Sequence, residues 1–215
     1  MTLYSAIYPK DKQFKRPVII AICGKSATGK DTLVSWLVSM LKTINIPVHI
    51  IVSDTTRPPR IREKDGVHYH FLTDNEFHNK INLNEYLEYS NFNGWFYGTA
   101  HDEIDIESVN VGIFNIDGIS SLAAHADEFE IVCIYLKCSL YQRIKRSIER
   151  EGKFKLEYLR RAHADYYDFK HINNILIRFP NKFVYNSYKI PTSRMVDTII
   201  WRLKIKNLLP PYNKS

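Results

Sequence analysis

The stretch GKSATGKDT (24–32) follows the apolar run PVIIAIC (17–23) and precedes LVSWLVSML (33–41). A buried strand, a glycine-bounded turn, a lysine and an amphipathic helix, in that order, leave few folds open. They build a loop whose backbone N–H groups, continued by the helix N-terminus, hold an anion. Gly24 and Gly29 stand five apart and let the backbone close in, and Lys30 supplies a point charge. The residues expected to hold a polyphosphate are therefore Gly24, Ser26, Thr28, Gly29, Lys30, Asp31 and Thr32. The usual motif has Ser or Thr after the lysine to touch Mg²⁺, but Asp31 stands there. Either Asp31 meets the metal, directly or through water, or it offsets the positive end of the helix dipole while pointing away. The water-mediated contact is the reading adopted, and Thr32 keeps a hydroxyl one residue on.

Continuous apolar runs at 17–23, 47–52, 111–116, 130–136 and 183–186 suit strands buried on both faces. Helical spacing is expected near 30–43, 102–110, 118–126, 139–150, 155–169 and 193–206. Strands alternating with helices predict an α/β fold with a parallel sheet and right-handed crossovers. The interval 53–100 differs: it is polar, rich in Tyr and Phe, and reads as short strands around a helix at 74–80. It is taken as a small β-rich insertion in a core of 17–52 and 101–206, with 1–16 an extension and 207–215 a tail.

No run reaches the eighteen or so apolar residues of a membrane span, and 1–16 lacks the apolar segment of a signal peptide. Three cysteines without metal-like pairing suit a reducing cytoplasm, and no membrane partner is expected. The eight histidines show no metal-ligand spacing. The net charge of +7 asks for something anionic. Much of it gathers in 141–161, where eight Lys and Arg face three Glu. In SLYQRIKRSIER (139–150), Arg143, Arg146 and Arg150 share one helix face while Tyr141, Ile144 and Ile148 take another. No nucleic-acid-binding motif accompanies this cluster, so nucleic acid is not the expected partner.

VSDTTRPPR (52–60) sets Arg57 and Arg60 either side of two prolines. Polyproline II has a three-residue period, so both guanidinium groups face one way and make a fork for one phosphate, though a solvated basic turn reads the same. The sequence TTRPPR (55–60), followed by GVHYHF (66–71), YLEY (86–89) and FYGT (96–99), resembles the acceptor region of the guanylate kinase family in order and spacing. With the phosphate loop, the resemblance covers about 17–190.

The resemblance implies a P-loop kinase core, a β-rich nucleoside-monophosphate-binding insertion and a helical lid over about 143–161. It implies that Arg57, Arg60, Tyr69 and Tyr97 grip the acceptor phosphate, a set of donors suited to a dianion. Glu88 falls on the guanine-reading carboxylate, which accepts from N1–H and the exocyclic amine. Ser53 and Thr99 fall on hydroxyl positions around the base, Asp117 on the second acid of a D-I-D segment, and Asn186 near the adenine of ATP. Arg161 matches the arginine that begins the helix after the lid, and Arg146 and Arg150 are taken as the lid's catalytic candidates beside Lys30 and Arg57, with Arg143 left open. NIDG (115–118) departs from the pattern, placing Asn115 where the first aspartate is usual. Asp31 and Asn115 together look like an exchange of one metal-shell carboxylate for another.

The implied activity is in-line transfer of the γ-phosphoryl of ATP to GMP or dGMP, with Mg²⁺, by a monomer or homodimer. The alternatives are a related kinase with another acceptor, such as a different deoxynucleotide or a ribose bisphosphate, and a non-catalytic interaction module.

Overall fold

The computed structural model describes residues 16–60, 63–92 and 94–209, so the expected extension lies almost wholly outside the described residues and the tail mostly so. Strand β1 (Val18–Gly24) is buried along its whole length, as an apolar run flanked by neighbours on both sides must be. It sits at the centre of a five-stranded sheet of order β2-β7-β1-β8-β9, formed with β2 (Val48–Ile50), β7 (Val109–Ile113), β8 (Glu130–Lys137) and β9 (Asn181–Asn186). Every pairing in it is parallel.

The alternation along β1 divides the core in two. Ile20 and Ile22 point to the side covered by α1 (Lys30–Thr43) and α7 (Thr192–Ile205), where Leu33, Leu37, Leu41, Met195, Ile199 and Leu203 pack. Ile19, Ala21 and Cys23 point to the other side, against α3 (Ile116–Leu122) and α6 (Ile172–Leu176). Between β8 and α6 run α4 (Leu140–Glu151) and α5 (Glu157–Asp168). This is the α/β architecture expected, a parallel sheet flanked by helices. Among the described residues no helix is long and apolar enough to cross a membrane.

A second sheet of order β4-β3-β6-β5 comes from residues 54–100. Its strands are β3 (Asp54–Thr55), β4 (His70–Phe71), β5 (Tyr86–Phe92) and β6 (Trp95–Ala100). Helix α2 (Asp74–Asn82) is closed at its start by a reciprocal box, in which Thr73 Oγ1 accepts from Glu76 N–H and the Glu76 carboxylate accepts from Thr73 N–H. Phe77 hangs from α2 between the rings of Tyr86 (4.5 Å) and Phe96 (5.3 Å), fully buried. This third cluster is small and, among the described residues, separate from the two main core clusters. Phe77→Ala is therefore expected to cost about 3–5 kcal/mol locally. Hydrogen exchange across 70–100 should rise much more than exchange in β1 and β8.

Three local expectations change. The helix expected over 102–110 is a single 3₁₀ turn (His101–Glu103), and β7 already begins at Val109. Buried Asn110 prevents the helix: its amide accepts from Asp105 N–H (2.8 Å) and donates to Asp105 O (2.8 Å), folding 105–110 into a pinned loop. Of HYHFL (68–72), one of the short strands read in the insertion, only His70–Phe71 is strand, with His68 in the turn before it and Tyr69 in an isolated bridge to Asp65. Helix α6 was not anticipated, because INNIL is short and lacks a polar cap.

Candidate functional site

The loop after β1 is shaped by backbone demands. A Cβ on Gly24 would lie 2.7 Å from Leu136 O and 2.9 Å from Thr28 Oγ1, so nothing larger than hydrogen fits against β8. Gly29 (φ 93°) and Ala27 (φ 59°) are both left-handed, an easy conformation for the first and a strained one for the second. Gly29 is the N-cap of α1 and supplies no side-chain cap, which leaves the first-turn N–H groups of the helix to another acceptor. Lys30 folds back on the loop, donating to Gly24 O (2.6 Å) and Lys25 O (3.2 Å). Burial pushes its ammonium below the usual lysine range, against the pull of Asp31 and Asp165.

The loop opens on a cleft of about 540 Å³. Ser26, Lys30 and Asp31 line one wall, Arg57, Arg60, Tyr69 and Tyr97 another, and Arg143, Arg150 and Arg161 a third. The two donor groups picked out in the sequence thus face one another, the second being carried in by the smaller sheet.

Their states differ. Arg57 is buried, its guanidinium donating to the Glu63 carboxylate (2.9 and 3.1 Å) and to Pro58 O (2.8 Å), while lying over the Tyr69 ring (5.4 Å). Arg60 is more exposed, and burial, Arg57 and Arg161 all press its guanidinium toward the neutral form. That repulsion among arginines is what an anion would relieve. Tyr69 meets Tyr97 edge to face (6.0 Å), and burial first, then Tyr97, raises its phenol pKa, so it stays a donor. Arg161 is held by Glu157 (2.8 Å), and Arg150 is mostly exposed beside Glu151.

A smaller chamber of about 200 Å³ joins the same wall, lined by Lys30, Ser53, Arg60, Tyr69, Glu88, Tyr97 and Asn115 among others. Glu88 projects from β5 and accepts from Thr99 Oγ1 (2.7 Å), which in turn meets Ser53 Oγ at 3.2 Å. Burial pushes the Glu88 carboxyl up to about 7 against the opposing Thr99 bonds. A Cβ on Gly118 would sit 2.8 Å from Glu88 Oε2, so glycine there lets α3 approach the carboxylate. Asn115 caps α3, accepting from Gly118 N–H (2.7 Å) and donating to Ser90 Oγ (2.7 Å). The arrangement is a buried acid with two hydroxyls beside it, suited to a ligand edge rich in N–H donors.

Other expected site residues fall elsewhere. Arg146 does not line either cavity: it donates to Thr28 O (3.0 Å), Ser187 Oγ (3.2 Å) and Ser187 O (2.7 Å), tying the back of the glycine-bounded loop to the end of β9. The buried Thr28 hydroxyl is turned into the loop, donating to Lys25 O (2.8 Å). Thr32 and Asp117 are exposed and line neither cavity. Asn186 ends β9, where its side chain accepts from Tyr188 N–H (3.2 Å). Sequence reasoning missed Asp165 on α5, whose buried carboxylate accepts from Ser26 N–H (3.1 Å) and from Arg143. It missed Glu63 as well, although an acid three residues after Arg60 was a readable hint.

A sequence profile described as guanylate kinase matches residues 14–178. Guanylate kinase of Clostridium perfringens is 31% identical over 171 residues, which cover 74% of this chain and 77% of that protein. Guanylate kinase of Maricaulis maris is 37% identical over 131 residues, covering 59% of this chain and 58% of that one. The crystal structure of guanylate kinase from Anaplasma phagocytophilum shares the fold, with a TM-score of 0.60 at 19% identity, covering 89% of this chain and 86% of that one. The profile takes in the phosphate loop, both cavities and the arginine-bearing helices α4 and α5, and on that extent of agreement the chain belongs to the guanylate kinase family of phosphotransferases.

Proposed function

We propose that this chain transfers the γ-phosphoryl group of ATP to GMP or dGMP. One observation carries the reading: Lys30 and the loop share a cleft with Arg57, Arg60, Tyr69 and Tyr97, and a buried carboxylate, Glu88, lines the smaller chamber that shares Lys30, Arg60, Tyr69 and Tyr97 with it. A donor triphosphate on the loop and an acceptor phosphate on the arginine-tyrosine set would then meet end to end. Phosphoryl transfer asks for that positioning and for charge neutralisation more than for a general base. Arg150 and Arg161 line the cleft from α4 and α5, the segment read as a lid, and are the arginines available to the group in transit. Arg146 then acts by bracing the loop.

Glu88, with Thr99 and Ser53, would accept the N1–H and amine protons of guanine. Adenine presents an unprotonated N1 to the same carboxylate. Among the described residues no group of three His, Cys, Asp or Glu is placed to hold a metal alone. That fits Mg²⁺, which arrives on the triphosphate and keeps most of its waters. Asp31 would hold it through water, and the ion would neutralise charge on the transferring phosphoryl. The free cysteines suit a reducing compartment such as the cytoplasm.

A coupled ADP-release assay with a panel of nucleoside monophosphates and ribose bisphosphate tests the reading. Turnover is expected with GMP and dGMP. A preference for another acceptor moves the chain to a different kinase activity, and no turnover with any of them makes it an interaction module. The Asp31 and Asn115 exchange has its own test. Asp31→Ser is expected to lower Mg²⁺-dependent kcat about tenfold, the size of one lost charge-assisted contact. Adding Asn115→Asp should recover most of it, and an additive further loss would end the idea.

A further inference from the structure

The loop expected to hold an external anion already holds an internal one. Asp165 reaches it from α5, 139 residues away in sequence, and takes Ser26 N–H with both carboxylate oxygens (3.1 and 3.2 Å), with Ser26 Oγ at 3.3 Å. Its counter-charge is Arg143, on α4, which also donates to Ser26 O (3.3 Å). Both side chains are more than nine-tenths buried, and among the described residues Arg143 Nε has no hydrogen-bond partner. Asp165 lines both cavities, and Arg143 lines the larger.

Two anions cannot share one set of loop donors, and a buried guanidinium cannot be left without a counter-anion. From the Ser26, Asp165 and Arg143 cluster we propose that Asp165 is an internal competitor that the donor nucleotide's phosphate must displace, and that Arg143 then passes from the carboxylate to that phosphate. This rests on the reading of the loop as the ATP site. The exchange keeps charge balanced: Ser26 N–H gives up a carboxylate and gains a phosphate oxygen, and Arg143 keeps an anion throughout. The free Nε gives Arg143 an unused donor for a ligand with more acceptor oxygens than a carboxylate has. Because α4 and α5 carry the pair, departure of Asp165 also loosens one tie between those helices and the loop. Donor binding is thereby coupled to their rearrangement.

Titration calorimetry with inorganic tripolyphosphate, ATP and GMP on wild type and Asp165→Asn tests this. The amide removes the competing charge and keeps the size. Tripolyphosphate and ATP are expected to bind about tenfold tighter, the size of a charge-assisted hydrogen bond, with GMP within about twofold. Weaker or unchanged tripolyphosphate binding overturns the proposal, as does equal tightening of GMP. If wild type and variant bind ATP equally well, this inference alone falls. If neither binds ATP or tripolyphosphate, the reading of the loop falls with it. Should the variant not fold, the wild-type Asp165 carboxylate resonance decides by ¹³C NMR. It is expected to shift on adding tripolyphosphate and not GMP, and a resonance unmoved at saturation overturns the exchange.

Discussion

Glu88→Gln is expected to raise the KM for GMP roughly thirty- to a hundredfold while the KM for ATP stays within about twofold, because each lost hydrogen bond to a charged acceptor is worth about 1.5–3 kcal/mol. The glutamine has nearly the same shape, but its amide offers one acceptor and one donor where guanine needs two acceptors. The variant should not be less stable. Burial holds the Glu88 carboxyl near 7 because the folded protein disfavours its charge, so a neutral amide removes a cost that builds as pH rises above the ordinary carboxylate range and is fully present above about 7. A melting temperature at or above wild type, beside a failing GMP KM, would separate recognition from folding. An unchanged GMP KM would remove Glu88 from the base site.

The same carboxyl sets a pH dependence. With a pKa raised to about 7, the unliganded site is mostly protonated at pH 6 and mostly ionised at pH 8. Only the ionised form accepts both guanine protons. GMP affinity should therefore rise with pH up to about 7 and level off above it, with proton release on binding in the lower range. Calorimetry in buffers of different ionisation enthalpy counts that proton directly. In Glu88→Gln the carboxyl's part of the dependence should vanish, leaving only that of the GMP phosphate, whose second ionisation lies at about 6.

Lys30→Met is the second large effect: kcat is expected to fall by at least about a thousandfold, as when a preorganised charge on a transferring phosphoryl is lost. The methionine fills the space of the aliphatic stem. It leaves Gly24 O and Lys25 O without their ammonium donor, a small penalty in a half-exposed loop. The buried ammonium is itself disfavoured, so the melting temperature should move little. GMP should still bind, since the contacts proposed for it come mostly from the segment of the smaller sheet. A kcat within tenfold of wild type would mean the loop does not carry the donor.

Part of this site is local in origin and was therefore readable along the chain. The apolar run and the glycine spacing produced β1, the loop and α1, with the helix at Lys30–Thr43 where periodicity placed it. Hydrogen bonds there span three or four residues, so nearby side chains suffice to specify them. The capping box of α2 is legible for the same reason. The wall of Arg57, Arg60, Tyr69 and Tyr97 was marked differently, by the resemblance of TTRPPR, GVHYHF, YLEY and FYGT in order and spacing to the guanylate kinase family.

What no local pattern carries is which face of a charged helix becomes buried. Arg143, Arg146 and Arg150 looked equivalent on one face of α4, and packing separated them. Arg143 is sealed against Asp165, Arg146 braces the loop through Ser187, and Arg150 stays mostly in solvent. The Asn110 clamp that abolished the helix over 102–110 also acts through side-chain bonds that periodicity does not encode. A charge enters the interior only where a partner waits, and that partner stands 22 residues away for Arg143 and 139 for the Ser26 amide held by Asp165. Periodicity along one segment is blind to such distances, so the chain announced its glycine-bounded loop while the carboxylate already resting on it emerged from long-range packing alone.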